Sequence, residues 1–220
     1  MRLKSHELDR FLQQASWRHV ERNPFGEMTL EERARLAVVD LDQPWCRRPP
    51  ARGTAWQWIA PCGHGKSTHL LALMQHFRHK MGLRVHYVYV EPEQTCGTIP
   101  DGDALMLDEM DRLPKRIWPL LTRTQIPLFI GTHRCLKRRL KAHGYTVQSI
   151  AIDHENDAAR LREVVHRRIR HCQRSLQHET PTLQLTEAAW LIDRFGSDFR
   201  RIEHELYERL QQKGFGHGEV

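Results

Sequence analysis

One segment of this 220-residue chain constrains its fold more than any other: Ala60-Pro61-Cys62-Gly63-His64-Gly65-Lys66-Ser67. An apolar strand is expected just before it, at about 55–60, and a helical run, Thr68-His69-Leu70-Leu71-Ala72-Leu73, follows. Strand, glycine turn, lysine-serine and helix is the order of a phosphate-binding loop, here relaxed, with Ala60 where the stricter pattern has glycine. Gly63 and Gly65 let the backbone curve so tightly that successive N–H groups turn inward on a polyphosphate, and the positive end of the helix adds to the attraction. The expected nucleotide contacts are therefore Pro61, Cys62, Gly63, His64, Gly65, Lys66, Ser67 and Thr68, with Lys66 neutralising the outer phosphates and Ser67 ligating magnesium. The plainer reading of the same residues is a glycine turn that caps a helix.

The remaining pattern supplies the context such a loop needs. Apolar strands are expected at about 55–60, 84–90, 103–108, 127–131 and 146–152, alternating with amphipathic helices, which is the signature of an α/β fold with a mainly parallel five-stranded sheet. Upstream, a helix carrying Leu3, Leu8, Phe11 and Leu12 is expected to about Val20, and Asn23-Pro24-Phe25-Gly26 breaks it. Thr29 followed by Glu32 has the form of a capping box opening a helix through Ala34, Ala37, Val38 and Leu41. Pro44 to Gly53 reads as a connector.

A second element has the chemistry that the loop requires. Ala104-Leu105-Met106-Leu107-Asp108-Glu109 is an apolar strand ending in two acids. A magnesium ion beside a triphosphate needs a further anchor, which Asp108 at the carboxyl end of a buried strand can supply. Glu109 is then free to orient and deprotonate the attacking water, and is the expected catalytic base. Standing alone, the two acids would merely begin a loop.

Phosphate loop, acidic strand end, a further strand and a helical tail occur in the order found in the AAA+ branch of the P-loop ATPases, which the chain resembles over roughly residues 23 to 212. The resemblance implies a three-layer P-loop NTPase fold with a small helical lid: an N-terminal helical extension at 1–22, an ATPase core at 23–155, the lid at 156–213 and a tail at 214–220. It also implies that the strand Pro127-Leu128-Phe129-Ile130-Gly131 ends in a sensor of the terminal phosphate, Thr132 or, next to it, His133. In the tail, Leu161, Val165, Ile169, Cys172 and Leu176 line one helical face, and two more helices are expected from Leu185 to Phe195 and from Phe199 to Leu210. Arg200, on a helix that Asp198 can cap, is similar to the family's second sensor, while Arg201 is expected to pair with Glu205. Asn23 and Phe25 resemble the segment that packs against adenine. Arg138 or Arg139, in a basic stretch without acids from 134 to 145, is either an arginine finger acting on a neighbouring subunit, part of a polyanion-binding patch, or a solvated helix face.

Composition limits the remaining choices. The 34 Lys+Arg against 27 Asp+Glu give a formal charge of +7, which permits contact with nucleic acid without requiring it. No apolar run reaches the ~18 to 20 residues that a bilayer demands. The start, MRLKSHELDR, lacks a secretory pattern, so a cytoplasmic protein is expected. The 5 cysteines form no Cys-x-x-Cys pair, and the 15 histidines are scattered, which argues for free thiols and surface imidazoles. The expected function is magnesium-dependent binding and hydrolysis of ATP that switches or loads a protein partner, with DNA and a homo-oligomer among the expected partners and no membrane. The short connection after the sensor strand, and no recognisable substrate-threading loop, make the chain look more like transposition helpers and their secretion-associated relatives than like unfoldases. The alternatives are a P-loop kinase acting on a small acceptor and an ATP-gated binding module with little turnover; no Asn-Lys-x-Asp stretch for reading guanine is present.

Overall fold

A computed structural model describes residues 6–92, 99–152, 156–175 and 177–213. In chain order they form α1 (His6–Leu12), a 3-10 turn (Ala15–His19), α2 (Leu30–Leu36), β1 (Thr54–Ile59), α3 (Lys66–Met81), β2 (Val85–Tyr89), β3 (Ala104–Asp108), α4 (Trp118–Arg123), β4 (Leu128–Thr132), α5 (Lys137–Ala142), β5 (Thr146–Ala151), α6 (Ala158–His171), α7 (Leu185–Phe195) and α8 (Phe199–Gln212), with shorter 3-10 turns between. The chain divides into two compact units: Leu30–Asp153, which holds the sheet, and a helical unit made of Met1–Thr29 together with His154–Val220.

The sheet unit has five parallel strands in the order β2-β3-β4-β1-β5. All residues of β3 and β4 are buried, as expected for central parallel strands covered on both faces. The edge strands β2 and β5 carry the mixed, half-polar pattern of a single covered face. Successive side chains alternate between two cores. Trp56, Trp58, Met106 and Phe129 meet Leu70 and Phe77 of α3 on one side, while Leu105, Leu107, Leu128 and Ile130 meet Trp118 of α4 and Leu140 of α5 on the other. Trp56 and Phe129 lie flat on one another, 5.0 Å between centroids and 5° between planes.

Register decides which residues share the carboxyl edge of the sheet. Ile59 pairs with Thr132 and Tyr89 with Asp108, while Leu107 opposite Ile130 sets Asp108 beside Gly131. The loop after β1, the acids ending β3 and the polar end of β4 therefore meet at one place. The strand order reverses beside β1, and an open parallel sheet forms its crevice where that happens.

The helical unit buries Leu8, Phe11, Trp17 and Val20 with Leu161 and Val165 of α6, Leu191 of α7 and Ile202 and Leu206 of α8. Asp157 and Asp198 cap α6 and α8 through their side chains. Cys172 is the C-cap of α6 and is buried; Leu176, Leu3, Cys96 and the expected tail at 214–220 lie outside the described residues. Residues 23–29, expected with the ATPase core, belong to this unit.

Two helices end earlier than their periodicity predicts. The first stops at Leu12, because the Trp17 indole N–H takes the Phe11 carbonyl at 2.9 Å and the chain turns into a 3-10 segment that buries Trp17. The second stops at Leu36 rather than reaching Leu41: the β-branched pair Val38-Val39 favours extended backbone, and Asp40 accepts from the Asp42 N–H in a local turn. No helix among the described residues is long and apolar enough to cross a membrane.

Candidate nucleotide site

The loop after β1 needs its glycines. Gly63 and Gly65 have φ of 84° and 93°, a region that L side chains avoid, and Gly65 stands at the head of α3. No side chain caps α3 and its first turn holds no acid, so its amide end is suited to an anion. Lys66 is buried, and its ammonium donates to the carbonyls of Ala60 and Pro61, each at 2.9 Å, with Glu109 Oε1 at 3.9 Å. Inside the loop the His64 ring lies 3.0 Å from the Cys62 carbonyl and the His69 ring 3.0 Å from that of Gly65. Ser67 and Thr68 are half-buried in the first turn, and Pro61 and Cys62 are exposed.

Asp108 is fully buried, and among the described residues it forms no ion pair. Its Oδ2 accepts from the Tyr87 hydroxyl at 2.7 Å, and Ser67 lies near enough to influence the same hydroxyl. Burial first, and then the charge of Asp108, push the Tyr87 phenol well above its ordinary value, so it stays a donor. A buried carboxylate without an ion pair, bonded to the Tyr87 hydroxyl near Ser67, fits a divalent cation held jointly with phosphate oxygens. Among the described residues no cluster of three or more metal-ligating side chains exists. Gly131 makes room for this carboxylate: a Cβ there would stand 2.4 Å from Asp108 Oδ1.

Glu109 has φ of 60° and ψ of 36°, left-handed backbone that costs a non-glycine residue about 1–2 kcal/mol. That turn out of the strand aims the carboxylate at the loop. Its Oε2 meets His133 Nε2 at 2.6 Å and Arg112 Nη2 at 3.2 Å. Arg112 also donates to the Tyr89 hydroxyl at 3.0 Å. His133 Nε2 lies 3.9 Å from Cys62 Sγ, which connects β4's end to the phosphate loop.

The two candidate sensors have different surroundings. Thr132 is fully buried, with its hydroxyl between Asp111 Oδ1 at 3.2 Å and the Arg134 carbonyl at 2.9 Å. His133 reaches Glu109, and its backbone N–H donates to Asp111 at 3.3 Å. Asp111 thus holds the turn that presents His133. Arg139 places its guanidinium 3.8 Å above the Trp118 ring, whereas Arg138 is exposed.

The remaining expected residues belong to the helical unit. Asn23 donates to the Tyr207 carbonyl at 3.2 Å and accepts from the Phe25 N–H at 3.1 Å, and the Phe25 ring is buried in the core of that unit. Arg168 fixes this segment by donating to the carbonyls of Pro24 at 2.8 Å and Gly26 at 3.2 Å, and it pairs with Glu203. Arg200 is exposed on the first turn of α8. Arg201 is exposed too, and Glu205 pairs with Arg209 at 2.6 Å rather than with Arg201.

Sequence reasoning missed Tyr87, Asp111, Arg112 and Gly131. A glycine inside an apolar strand signals a close approach, but only the register names Asp108 as the group approached. Asp111 and Arg112 follow the acidic pair closely, and Tyr87 carries no sequence signal for its role.

The fold is shared with domain III of the Thermotoga maritima replication initiation protein DnaA, with a TM-score of 0.57 and 14% identity over 89% of this chain and 94% of that chain. A solved DNA replication initiation factor matches at a TM-score of 0.47 and 14% identity, over 74% of this chain and 56% of that one. No family model matches the sequence, and neither does any curated protein. At this identity the first likeness is one of fold: the mainly parallel α/β architecture expected from the sequence is the one observed.

Proposed function

We propose that the sheet unit binds ATP with magnesium at the loop Gly63–Ser67 and hydrolyses it in the manner of an AAA+ ATPase. The observation that carries this reading is the meeting, at one sheet edge, of a glycine loop with a buried lysine, a buried aspartate that forms no ion pair among the described residues, and a glutamate held by His133 and Arg112. Ser67 and Asp108 are the proposed magnesium ligands; the ion supplies positive charge beside the phosphates. Lys66 trades its loop carbonyls for phosphate oxygens. Glu109 orients the water and takes its proton, and His133, alongside Thr132, reports the state of the site. Arg200 is the proposed phosphate-reporting group of the helical unit. Turnover is proposed to change a surface shown to a protein partner, acting on DNA, with self-association supplying Arg138 to a neighbour.

The test is phosphate release from magnesium-ATP by the full chain. Lys66→Ala should weaken nucleotide binding ~10- to 100-fold, the loss of charge-assisted hydrogen bonds. Glu109→Gln should retain binding and lose ~10²- to 10⁴-fold in turnover. The engagement of Glu109 by His133, Arg112 and Lys66 favours one second reading, an ATP-gated binding module. Tight nucleotide binding with no turnover above Lys66→Ala would select that reading.

A further inference from the structure

The helical layer on one face of the sheet is free of acid. Residues 112 to 152 hold no aspartate or glutamate but nine lysines and arginines, and the chain folds them into α4, β4, α5, β5 and the turns between. β4 is buried throughout and β5 carries no charged residue, so the charges fall to the helices and their flanks. Trp118 and Leu121 of α4, with Leu136 and Leu140 at α5, pack down on the sheet. Lys115, Arg116, Arg123, Lys137 and Lys141 are left exposed on the outside of the layer.

Specific contacts hold α4 and α5 side by side. The Arg139 guanidinium lies 3.8 Å from the centre of the Trp118 ring, and the His143 ring stacks on the same indole at 6.1 Å. The Gln125 amide donates to the carbonyls of Thr122 at 2.6 Å and His143 at 3.2 Å, which ties the end of α4 to the end of α5. Arg52, from the connector before β1, donates to the Thr124 carbonyl at 3.3 Å and adds its charge beside Arg123. Arg112 and Arg134 are held by Glu109 and Asp111. The five exposed cations of the layer make no ion pair and no side-chain hydrogen bond among the described residues. Burial draws the Arg139 guanidinium below its ordinary value, and no carboxylate among the described residues offsets it.

Like charges gathered without acids repel one another, and a polyanion relieves that repulsion. Lys137 and Lys141 stand one turn apart, ~6 Å along the helix axis, while Arg123 and Arg52 stand at the end of the neighbouring helix. The charges therefore spread over a surface and do not converge on one anion, which fits a ligand whose anions repeat. A protein interface is depleted of lysine, and a face that lies in a membrane needs a row of apolar anchors, whereas α4 and α5 expose Leu120 alone among their large apolar side chains. We propose that the α4–α5 face binds the phosphodiester backbone of a nucleic acid, with Lys137, Lys141 and Arg123 on separate phosphates. This surface rests on the DNA half of the function proposed above and gives it a location, yet it takes no residue from the nucleotide site and leaves Arg138 to the role given there.

The experiment measures binding of fluorescent duplex and single-stranded DNA to the full chain by anisotropy over a salt series, without nucleotide. Lys137→Gln/Lys141→Gln should weaken duplex binding at least ~10-fold at low salt and reduce the slope of log K against log salt by about 2, the loss of two phosphate contacts. Arg123→Gln should reduce the slope by about 1. Lys137→Arg/Lys141→Arg, which keeps the charge, should retain the wild-type slope, and so should Lys80→Gln, which removes an exposed charge from α3 on the other face of the sheet. Lys66→Ala, which disables the proposed ATP site, should bind DNA as the wild type does, and the variants of the α4–α5 face should keep the wild-type affinity for magnesium-ATP, so failure of either reading is seen separately. An unchanged slope in the double variant and in Arg123→Gln overturns the proposal. A slope that Lys80→Gln lowers as far as Arg123→Gln does also overturns it, because the attraction is then to net charge and not to this face. So does wild-type protein that ignores DNA but binds vesicles of phosphatidylserine, or binds poly-L-glutamate. If the double variant loses the wild-type circular dichroism, Arg123→Gln compared with Lys80→Gln decides.

Discussion

Glu109 stands in left-handed backbone, and three cationic or hydrogen-bonding side chains hold its carboxylate there. A group so restrained is positioned before any substrate arrives, which is how a base avoids reorganisation during reaction. His133→Ala should therefore lower the turnover of ATP by about tenfold while nucleotide affinity changes little, measured by steady-state kinetics against binding of a fluorescent ATP analogue. Gly131→Ala tests the neighbouring acid. Its methyl group would stand 2.4 Å from Asp108 Oδ1, so the carboxylate must shift, and the magnesium concentration needed for half-maximal nucleotide binding should rise. Overpacking of this kind should also cost about 1–3 kcal/mol, visible as a lower urea midpoint. That Lys66, Ser67, Asp108 and Glu109 lie together at one sheet edge was legible because they are consecutive residues following apolar runs. Tyr87 and Gly131 were not, because their roles come from strand pairing: Tyr87 lies two residues up a neighbouring strand and reaches across to Asp108.

Among the elements, the central strands were the most readable, since β3 and β4 are nearly continuous apolar runs bounded by polar residues. Helix ends were the least readable. Trp17 and Asp40 stop α1 and α2 through side-chain bonds that no periodicity contains. The same kind of bond fixes β1 between its neighbours. Gln57 is fully buried, donates to Ser149 Oγ at 2.7 Å and accepts from the Leu136 N–H at 2.8 Å, so one amide joins β1, β5 and the chain entering α5. Gln57→Leu strands the Leu136 N–H and should cost about 1–3 kcal/mol in urea unfolding. Cys46, packed beneath β1, gives a pH test. Burial first, then Asp40 and Asp42, push its thiol from 9.0 to about 12. The folded protein keeps this proton after the unfolded chain has lost it, so the thiol's contribution to stability is complete below pH 9 and declines as pH rises toward 12. Cys46→Ala, whatever its overall stability, should show a shallower alkaline decline in denaturation midpoint.

At the scale of the molecule, the sheet unit is continuous in sequence while the helical unit is assembled from both ends of the chain. Pattern reading found the helices but not this partnership, because Phe25 and Arg168 are brought together by packing and not by any local signal. Arg138 is the exposed arginine of α5, while Arg139 is committed to Trp118. If Arg138 completes a neighbour's site, specific ATPase activity should rise with protein concentration, and Arg138→Ala should remove that rise and lower turnover by ~10³-fold. A flat dilution series in the wild type would remove the role in trans. The divided helical unit also sets an order of events on the ribosome. The sheet unit can close its two cores once its last strand has emerged, whereas Leu8, Phe11 and Trp17 must wait, apolar and uncovered, until α6 to α8 have been synthesised. The segment that carries Leu8, Phe11 and Trp17 is therefore the described part of this protein with most need of a chaperone, and a stall in translation after β5 would leave a finished sheet tethered to an open half-core.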